Sequence, residues 1–259
     1  MLFPNIDPII FSIGPLAVRW YGLMYLLGFI FAYLIILRFA PGRAVALGKD
    51  GVSDLLFYAV LGVVLGGRIG YTLFYNATYF TRHPLEIFYI WEGGMSFHGG
   101  LLGVVVALLI FSRRRKLDPL ALGDVTVLAA PIGLGLGRIG NFINGELWGR
   151  VTDLPWAVVF PAAGPDPRHP SQLYEAFLEG PVLFVCLWYM SRRGTPSGSI
   201  FFSFFILYGC FRFMVEFVRQ PDAHLGFLWA GATMGQLLSL PMMIFGVCGL
   251  CYLRYRTKT

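Results

Sequence analysis

Charged residues are scarce in this chain. Asp, Glu, Lys and Arg make up 13% of its 259 residues, whereas hydrophobic residues make up 57%. Soluble domains carry charge on about a quarter of their residues, so this composition excludes an ordinary soluble domain. The apolar runs also lack the alternating pattern of outer-membrane strands. The sequence therefore predicts an all-α polytopic membrane protein.

Familiar catalytic motifs are missing as well. The sequence shows no Ser-His-Asp arrangement, phosphate-binding loop or metal-ligand cluster. The four cysteines lie in apolar runs and are predicted to be core thiols: Cys186, Cys210, Cys248 and Cys251. The last two have C-x-x-C spacing but lack the second pair that a zinc site needs, so no metal is expected. An enzyme built this way would act by orientation and charge, with a nucleophile supplied by its substrate.

Acidic residues are outnumbered by basic ones, which gives a formal net charge of +6. The basic residues lie in short loops rather than in a tail, and such loops set membrane topology. Nucleic acid is therefore not an expected partner. Twelve of the basic residues lie on one side of the predicted spans: Arg38, Arg43, Lys49, Arg113, Arg114, Arg115, Lys116, Arg192, Arg193, Arg254, Arg256 and Lys258. Five lie on the other side: Arg19, Arg82, Arg150, Arg168 and Arg219. This bias predicts an N-terminus on the outer side of the membrane and a cytoplasmic C-terminus.

Seven segments are apolar enough to be candidate membrane spans, which need roughly 20 residues. They are residues 16–39, 54–75, 97–112, 120–137, 172–191, 199–218 and 228–253. The first seven residues lack the basic region of a cleavable signal peptide. We expect a single integral membrane domain over residues 1–259. Residues 141–170, rich in proline, are expected to form a small cap on the outer face of the membrane.

Three arginines interrupt the predicted spans: Arg68, Arg138 and Arg212. Each lies in an even-numbered segment, and the topology places all three in the outer half of the membrane. Long arginine side chains near helix ends can reach the interface, but charges inside a membrane usually mark a functional site. Leu-Gly-Gly-Arg-Ile-Gly at 65–70 is similar to Leu-Gly-Arg-Ile-Gly at 136–140. The role of Arg68 stays open.

The most polar stretch is 137–150, directly after the fourth apolar run. Arg138 is suited to an anionic lipid headgroup, because its planar guanidinium binds phosphate through two donors. Asn141 and Asn144 can bond a hydroxyl or an ester oxygen. The structural alternative is a helix cap with a surface pair between Glu146 and Arg150.

Two further residues are predicted at the outer ends of helices. His98 opens the third segment, and histidine titrates near neutral pH. The glycines that follow it leave backbone N–H groups for an anion. The alternative is a structural histidine at the interface. Tyr21 either belongs to an interfacial aromatic belt or faces the site.

The sixth segment carries Tyr208, Arg212 and Glu216 at intervals of four, so they share one helix face. This pattern indicates either an ion pair that stabilises the helix or a Glu216 that orients Arg212 for phosphate, and the two are compatible. Glu175 and Gln236 are also predicted near outer helix ends, where they either line a cavity or anchor the helix.

Two stretches resemble the bacterial phosphatidylglycerol–prolipoprotein diacylglyceryl transferases. These are His-Gly-Gly-Leu-Leu-Gly at 98–103 and Gly-Arg-Ile-Gly-Asn-Phe-Ile-Asn-Gly-Glu-Leu-Trp-Gly at 137–149. The pattern Tyr208, Arg212 and Glu216 also matches, as do the seven spans. The resemblance covers essentially the whole chain.

The resemblance implies transfer of an sn-1,2-diacylglyceryl group from phosphatidylglycerol to the lipobox cysteine of a prolipoprotein signal peptide. A thioether forms and glycerol phosphate leaves, at the periplasmic side of the bacterial inner membrane. This is the first step of lipoprotein maturation. The expected partners are these two substrates and the bilayer, and no cofactor is expected.

On this basis Arg138 is expected to hold the phosphate, and Arg212 to support it or the departing group. Asn141 and Glu146 would position the headgroup, and Glu216 would orient Arg212. Another three residues complete the expected site: Tyr21 and Tyr208 as donors to glycerol or ester oxygens, and His98 as base for the thiol or as a structural donor.

Two other classes of function remain open to the sequence alone. A transporter or flippase for an anionic lipid also needs arginines in the membrane, but it predicts charges near the midplane. Here the polar residues gather toward one face. A lipid-binding scaffold would keep the arginines without needing His98.

Overall fold

The computed structural model describes residues 1–4, 6–14, 16–221, 227–228 and 231–256, and Lys258 of the basic set lies outside them. The described chain is mainly helical. It forms two compact units: the first contains Met1–Ile36 and Asp124–Thr259, and the second contains Leu37–Gly123. The prediction of a single integral membrane domain stays a prediction.

The α-helices of the described chain are numbered in sequence order. They are α1 (Trp20–Phe39), α2 (Lys49–Phe74), α3 (Ala77–Arg82), α4 (Phe97–Arg114), α5 (Pro119–Ile143), α6 (Ser171–Phe177), α7 (Leu183–Ser191), α8 (Ser199–Val215) and α9 (Met234–Arg256). A π-helical turn at Leu178–Val182 joins α6 to α7. Two strands, β1 (Ile9–Ile13) and β2 (Leu16–Arg19), form an antiparallel hairpin before α1.

Five helices in the described part of the chain are long and apolar enough to cross a membrane. They are α1, α2, α5, α9 and the segment Ser171–Ser191 that contains α6 and α7. The chain is thus a multi-pass helical membrane protein. Helices α4 and α8 lie where the third and sixth spans were predicted, and α8 is a shorter apolar helix. The total of seven spans stays a prediction.

The start of the first span differs from the sequence prediction. A helix was predicted from residue 16, but residues Leu16–Arg19 form β2, and α1 begins at Trp20. The strand pairs with β1, so that Phe11 lies opposite Val18 and Ser12 opposite Ala17. Branched and aromatic residues are compatible with either structure in a short apolar run, and the strand partner decides between them.

Glycines bring α2 and α4 into backbone contact within the second unit. A Cβ on Gly62 would lie 2.6 Å from the carbonyl oxygen of Gly103, and one on Gly66 would lie 2.3 Å from that of Gly99. Small residues allow this close approach between membrane helices. Ser96 caps α4 by accepting a hydrogen bond from Gly99 N at 3.2 Å.

A second close approach connects α5 to the π-helical turn in the first unit. A Cβ on Gly135 would lie 3.0 Å from the Cα of Gly180. Gly180 has φ −93° and ψ −105°, outside helical values, and Pro181 follows it. Proline removes a backbone donor from the helix, and π-helical turns occur often at functional sites. Here the turn lies one helical turn beyond Glu175.

The predicted cap segment packs on the N-terminus of the chain. Phe3 contacts the rings of Phe142 and Phe160, with centroids 5.5 and 5.3 Å away. Its backbone N–H donates to Val159 O at 3.3 Å. Phe160 is fully buried. Within this segment Val158 forms an isolated antiparallel bridge with Arg168, and Val159 forms a parallel one with Leu2.

The substitution Gly66→Ala tests the contact between α2 and α4. Its Cβ would meet backbone atoms, which cannot rotate away, so we expect an overpacking cost of about 1–3 kcal/mol. In detergent this corresponds to a lowering of the thermal unfolding temperature by roughly 4–10 °C. Gly133→Ala is the control, because nothing lies within 4 Å of a Cβ there. Equal unfolding temperatures for the two variants would contradict the packing described.

Candidate functional site

Arg138 lies near the end of α5 and faces two carboxylates from the neighbouring segment. Its Nε is 3.0 Å from Glu175 Oε2 and donates a hydrogen bond to Glu179 Oε2 at 3.3 Å. Both glutamate side chains are fully buried, and 18% of the Arg138 side chain is exposed. Nη1 and Nη2 of Arg138 donate no hydrogen bond to any residue that the structure describes. The guanidinium is therefore held at one nitrogen and open at the other two.

Glu175 connects three arginines. Besides Arg138, its Oε1 contacts Arg212 Nη1 from α8 and lies 3.2 Å from Nη1 of Arg219, beyond the end of α8. Buried carboxylates are tolerated only when they are paired, and this one has a guanidinium on each oxygen. A single carboxylate thus ties α5, α6 and the C-terminal end of α8 together.

Arg212 is bound at both terminal nitrogens. Its Nη1 contacts Glu175, and its Nη2 contacts Glu216 Oε1, four residues later. The other oxygen of Glu216 accepts a hydrogen bond from Thr233 Oγ1 at 2.6 Å. Gln236 is buried and accepts from Thr233 N at 3.1 Å. Arg212 therefore has fewer donors left for a ligand than Arg138 has.

The cap segment also reaches this cluster. Arg150 donates through Nε to the Arg219 carbonyl at 3.0 Å and through Nη2 to the Glu216 carbonyl at 3.2 Å. His169, in the same segment, accepts at its carbonyl from Gly149 N at 2.9 Å. Burial lowers the pKa of the His169 imidazole, which favours its neutral form. These contacts hold the segment against the chain that follows α8.

Glu146 is held by two asparagines. Its Oε1 accepts from Asn141 Nδ2 at 2.8 Å and from Asn144 Nδ2 at 3.1 Å. The Glu146 carbonyl accepts from Gln172 Nε2 at 2.6 Å, which ties the loop to the start of α6. No ion pair between Glu146 and Arg150 occurs among the described residues, so the alternative of a surface pair is wrong. The carboxylate is exposed and remains able to accept from a ligand.

Tyr21 and Tyr208 both lie beside Arg138. A Cβ on Gly140 of α5 would be 2.8 Å from the Tyr21 ring, so this ring packs on α5. The Tyr21 hydroxyl lies 3.1 Å from that of Tyr25. It also interacts electrostatically with Glu146 and Arg138. Tyr208 stacks on Phe204, with centroids 5.6 Å apart, and interacts electrostatically with Arg138. Tyr21 thus has a position near the polar site as well as near the start of a span.

His98 belongs to the second unit, where it is the second residue of α4 and is exposed. The Arg138 cluster belongs to the first unit. The glycines after His98 have a different role from the one predicted. Gly99 N donates to Ser96 Oγ, and Gly99 and Gly103 pack against the backbone of α2. They serve helix packing, so the interpretation as free anion-binding N–H groups is wrong for Gly99.

Arg68 is a structural residue of the second unit. Its guanidinium donates to the carbonyls of Glu86, Ile87, Gly93 and Gly94, at 2.6, 2.7, 2.6 and 3.2 Å respectively. The side chain is buried. It thus fixes the loop before α4 through backbone acceptors, which explains a charge at this position without a ligand.

Three members of the buried cluster were missed or misplaced by sequence reasoning. Glu179 was not singled out, Arg219 was counted as a loop residue, and Glu175 was read only as a possible cavity or anchor residue. The available signal was the interval of four between Glu175 and Glu179 within an apolar run, which places both on one helix face. Two carboxylates on such a face require cations on neighbouring helices.

Glu175→Gln tests whether this carboxylate holds the cluster together. The amide keeps the shape but leaves three arginines without their shared anion, and breaking a buried pair costs about 3–5 kcal/mol. We expect the thermal unfolding temperature in detergent to fall by roughly 10 °C or more. Asp54→Asn removes a half-exposed partner of Arg115 and is expected to cost at most about 1 kcal/mol. A shift for Glu175→Gln no larger than that control would contradict the assignment.

Comparison with known proteins confirms the resemblance seen in the sequence. The sequence profile of the family described as prolipoprotein diacylglyceryl transferase matches residues 8–252. A phosphatidylglycerol–prolipoprotein diacylglyceryl transferase from Geobacter sulfurreducens is 58% identical over 247 residues, 95% of each chain. The protein of the same name from Pseudoalteromonas translucida is 56% identical over 257 residues, 99% of this chain and 96% of its own. The one from Bordetella avium is 55% identical over 247 residues, 95% and 94% of the two chains. This chain therefore belongs to the prolipoprotein diacylglyceryl transferase family.

Proposed function

We propose that this chain transfers a diacylglyceryl group from phosphatidylglycerol to the lipobox cysteine of a prolipoprotein, the first step of bacterial lipoprotein maturation. The observation that carries the proposal is the state of Arg138, whose Nε is fixed by two buried carboxylates while Nη1 and Nη2 remain open. Two parallel N–H donors match a phosphate geometrically. Relatives that are 55–58% identical carry the name of this activity.

The reaction forms a sulfur–carbon bond and breaks the bond between the glycerol carbon and the phosphate oxygen. The cysteine thiol belongs to the substrate and must lose its proton, because the thiolate is the nucleophile. The electron pair of the broken bond stays on the phosphate oxygen, and glycerol phosphate leaves. Negative charge grows on the phosphate during this step, so fixed guanidinium donors lower the barrier.

The roles of the residues around Arg138 follow from their contacts. Arg138 binds the phosphate, and Arg212 adds positive charge from a position fixed by Glu216. The exposed carboxylate of Glu146, oriented by Asn141, accepts from the headgroup hydroxyls.

The remaining members of the proposed site come from other helices. The hydroxyls of Tyr21 and Tyr208 donate to glycerol or ester oxygens of the lipid. We assign His98 as the base for the thiol, because imidazole titrates near neutral pH.

We further propose that the site lies toward the periplasmic side of the inner membrane, with residues 141–170 as a periplasmic cap. The bias of basic residues supports a periplasmic N-terminus and a cytoplasmic C-terminus. Lipid and signal peptide both reside in the bilayer, so a lateral opening between helices is expected for their entry.

The function is tested with purified protein, phosphatidylglycerol and a lipobox peptide, by following the release of glycerol phosphate. We expect release with the unaltered chain and none above background with Arg138→Ala. Arg138→Lys keeps the charge but not the two-donor geometry, so a loss of about 10²–10³-fold is expected. Arg82→Ala, an exposed arginine in α3, should retain the full rate. Absence of release, combined with passage of labelled lipid across the bilayer, would overturn the proposal in favour of a flippase.

His98→Gln tests the assignment of the base. Loss of general base catalysis is expected to lower the rate at neutral pH by about 10²-fold or more. Part of the rate should return at higher pH, where a thiol with a pKa of about 8.5 ionises unaided. His83→Gln, at the end of α3 and also exposed, is the matched control and should show no loss. A rate for His98→Gln close to that of the control would make His98 a structural residue.

A further inference from the structure

Glu179 differs from the other carboxylates of the cluster. It is fully buried in the π-helical turn, and its Oε2 accepts from Arg138 Nε. Its Oε1 is buried and has no hydrogen-bond partner among the described residues. Glu175 Oε2 likewise accepts no hydrogen bond among the described residues, but it lies 3.0 Å from Arg138 Nε, and Glu175 contacts three arginines in all. Both oxygens of Glu216 have donors. A buried polar oxygen without a partner is unfavourable, so its presence in the cluster that holds Arg138 calls for an explanation.

The charges of the cluster give that explanation. Three arginines (Arg138, Arg212 and Arg219) face three glutamates (Glu175, Glu179 and Glu216), so the fully ionised cluster is neutral. A phosphodiester that binds to Arg138 adds one negative charge. In a largely buried site this excess charge is unfavourable unless a cation or a proton compensates it. The compensating change must occur at a group that can accept a proton near Arg138.

We propose that Glu179 takes up one proton when the anionic phosphodiester of phosphatidylglycerol binds to Arg138, an inference that rests on the function proposed above. The proton sits on Oε1, which then becomes a donor, while Oε2 still accepts from Arg138 Nε. The cluster then carries one net positive charge that matches the phosphodiester. Glu179 thus acts through Arg138 as a positioning residue that adjusts the charge of the site to its substrate.

The other groups that face Glu179 do not offer this proton site. They are Arg138 on α5, Arg212 and Tyr208 on α8, and Glu175 on its own segment. Arginine stays protonated in proteins, and phenols ionise only near pH 10, so neither type accepts a proton at neutral pH. Glu175 contacts three guanidinium groups, whereas Glu179 contacts one. Glu179 makes that contact through Oε2, and its Oε1 has no hydrogen-bond partner among the described residues. It is therefore the remaining group that can accept the proton.

Proton uptake by Glu179 makes the affinity for phosphatidylglycerol depend on pH. Protonation of Glu179 accompanies binding, so affinity for phosphatidylglycerol should rise as pH falls and weaken as pH rises. One linked proton corresponds to a change of up to about tenfold in affinity per pH unit. Glu179→Gln supplies a permanently neutral group whose amide oxygen still accepts from Arg138 Nε. Its affinity should be independent of pH and should exceed that of the unaltered chain at high pH.

The proton is measured by calorimetric titration of the full chain in detergent with short-chain phosphatidylglycerol, without peptide. Two buffers with different ionisation enthalpies at one pH give the number of protons exchanged. We expect uptake of close to one proton by the unaltered chain and almost none by Glu179→Gln. Asp54→Asn, which removes a half-exposed carboxylate paired with Arg115 outside the cluster, is the control and should keep the uptake. Absence of uptake by the unaltered chain, or unchanged uptake by Glu179→Gln, would overturn the proposal.

Two further comparisons separate this role from a purely structural one. Glu179→Ala removes the acceptor for Arg138 Nε and should weaken lipid binding at every pH, whereas no structural loss would make Glu179→Gln bind more tightly at high pH. Proton uptake by the unaltered chain is measured without any variant, so this result does not depend on whether a variant folds. Release of glycerol phosphate without proton uptake would refute only this inference, while absence of release would overturn the proposed function.

Discussion

The pairing of Glu175 with three arginines is the interaction on which the polar site depends. Each guanidinium would be costly inside a membrane protein without an anion, and one fully buried carboxylate serves all three. Because these arginines come from α5, α8 and the segment after α8, the ion pairs also fix how those elements pack. The donors of the site are therefore oriented before any ligand arrives, which is the condition for electrostatic stabilisation of a transition state.

Arg68 and Arg138 show how similar local sequences acquire different roles. Both occur in Gly-Arg-Ile-Gly segments within long apolar helices. Arg68 meets backbone carbonyls, which satisfy its donors and leave it buried. Arg138 meets carboxylates at Nε alone and keeps two nitrogens open. The difference arises from the groups that the neighbouring segment places beside each arginine, so a local motif cannot distinguish an arginine with satisfied donors from one with open donors.

The long apolar helices could be predicted from the sequence, because hydropathy acts locally and each span must satisfy its own backbone. Arg138 and Arg212 could be singled out from the sequence as candidate site residues, because charge is rare in such apolar runs. The pairing of Glu175 with several arginines could not be predicted, because two of its partners, Arg212 and Arg219, lie 37 and 44 residues away in the sequence. The hairpin before α1 was also missed, since its strand partner, and not its composition, decides its structure.

The neutrality of the cluster also explains how three arginines can be stable in a bilayer when no ligand is bound. Three cations alone would draw in water or anions, whereas paired charges are stable in the empty state. The same neutrality means that an anionic headgroup cannot bind without changing the charge of the site. A headgroup with no net charge would require no such change. A site of this kind therefore has a physical basis for treating anionic and net-neutral phospholipids differently, beyond the contacts made by Arg138 itself.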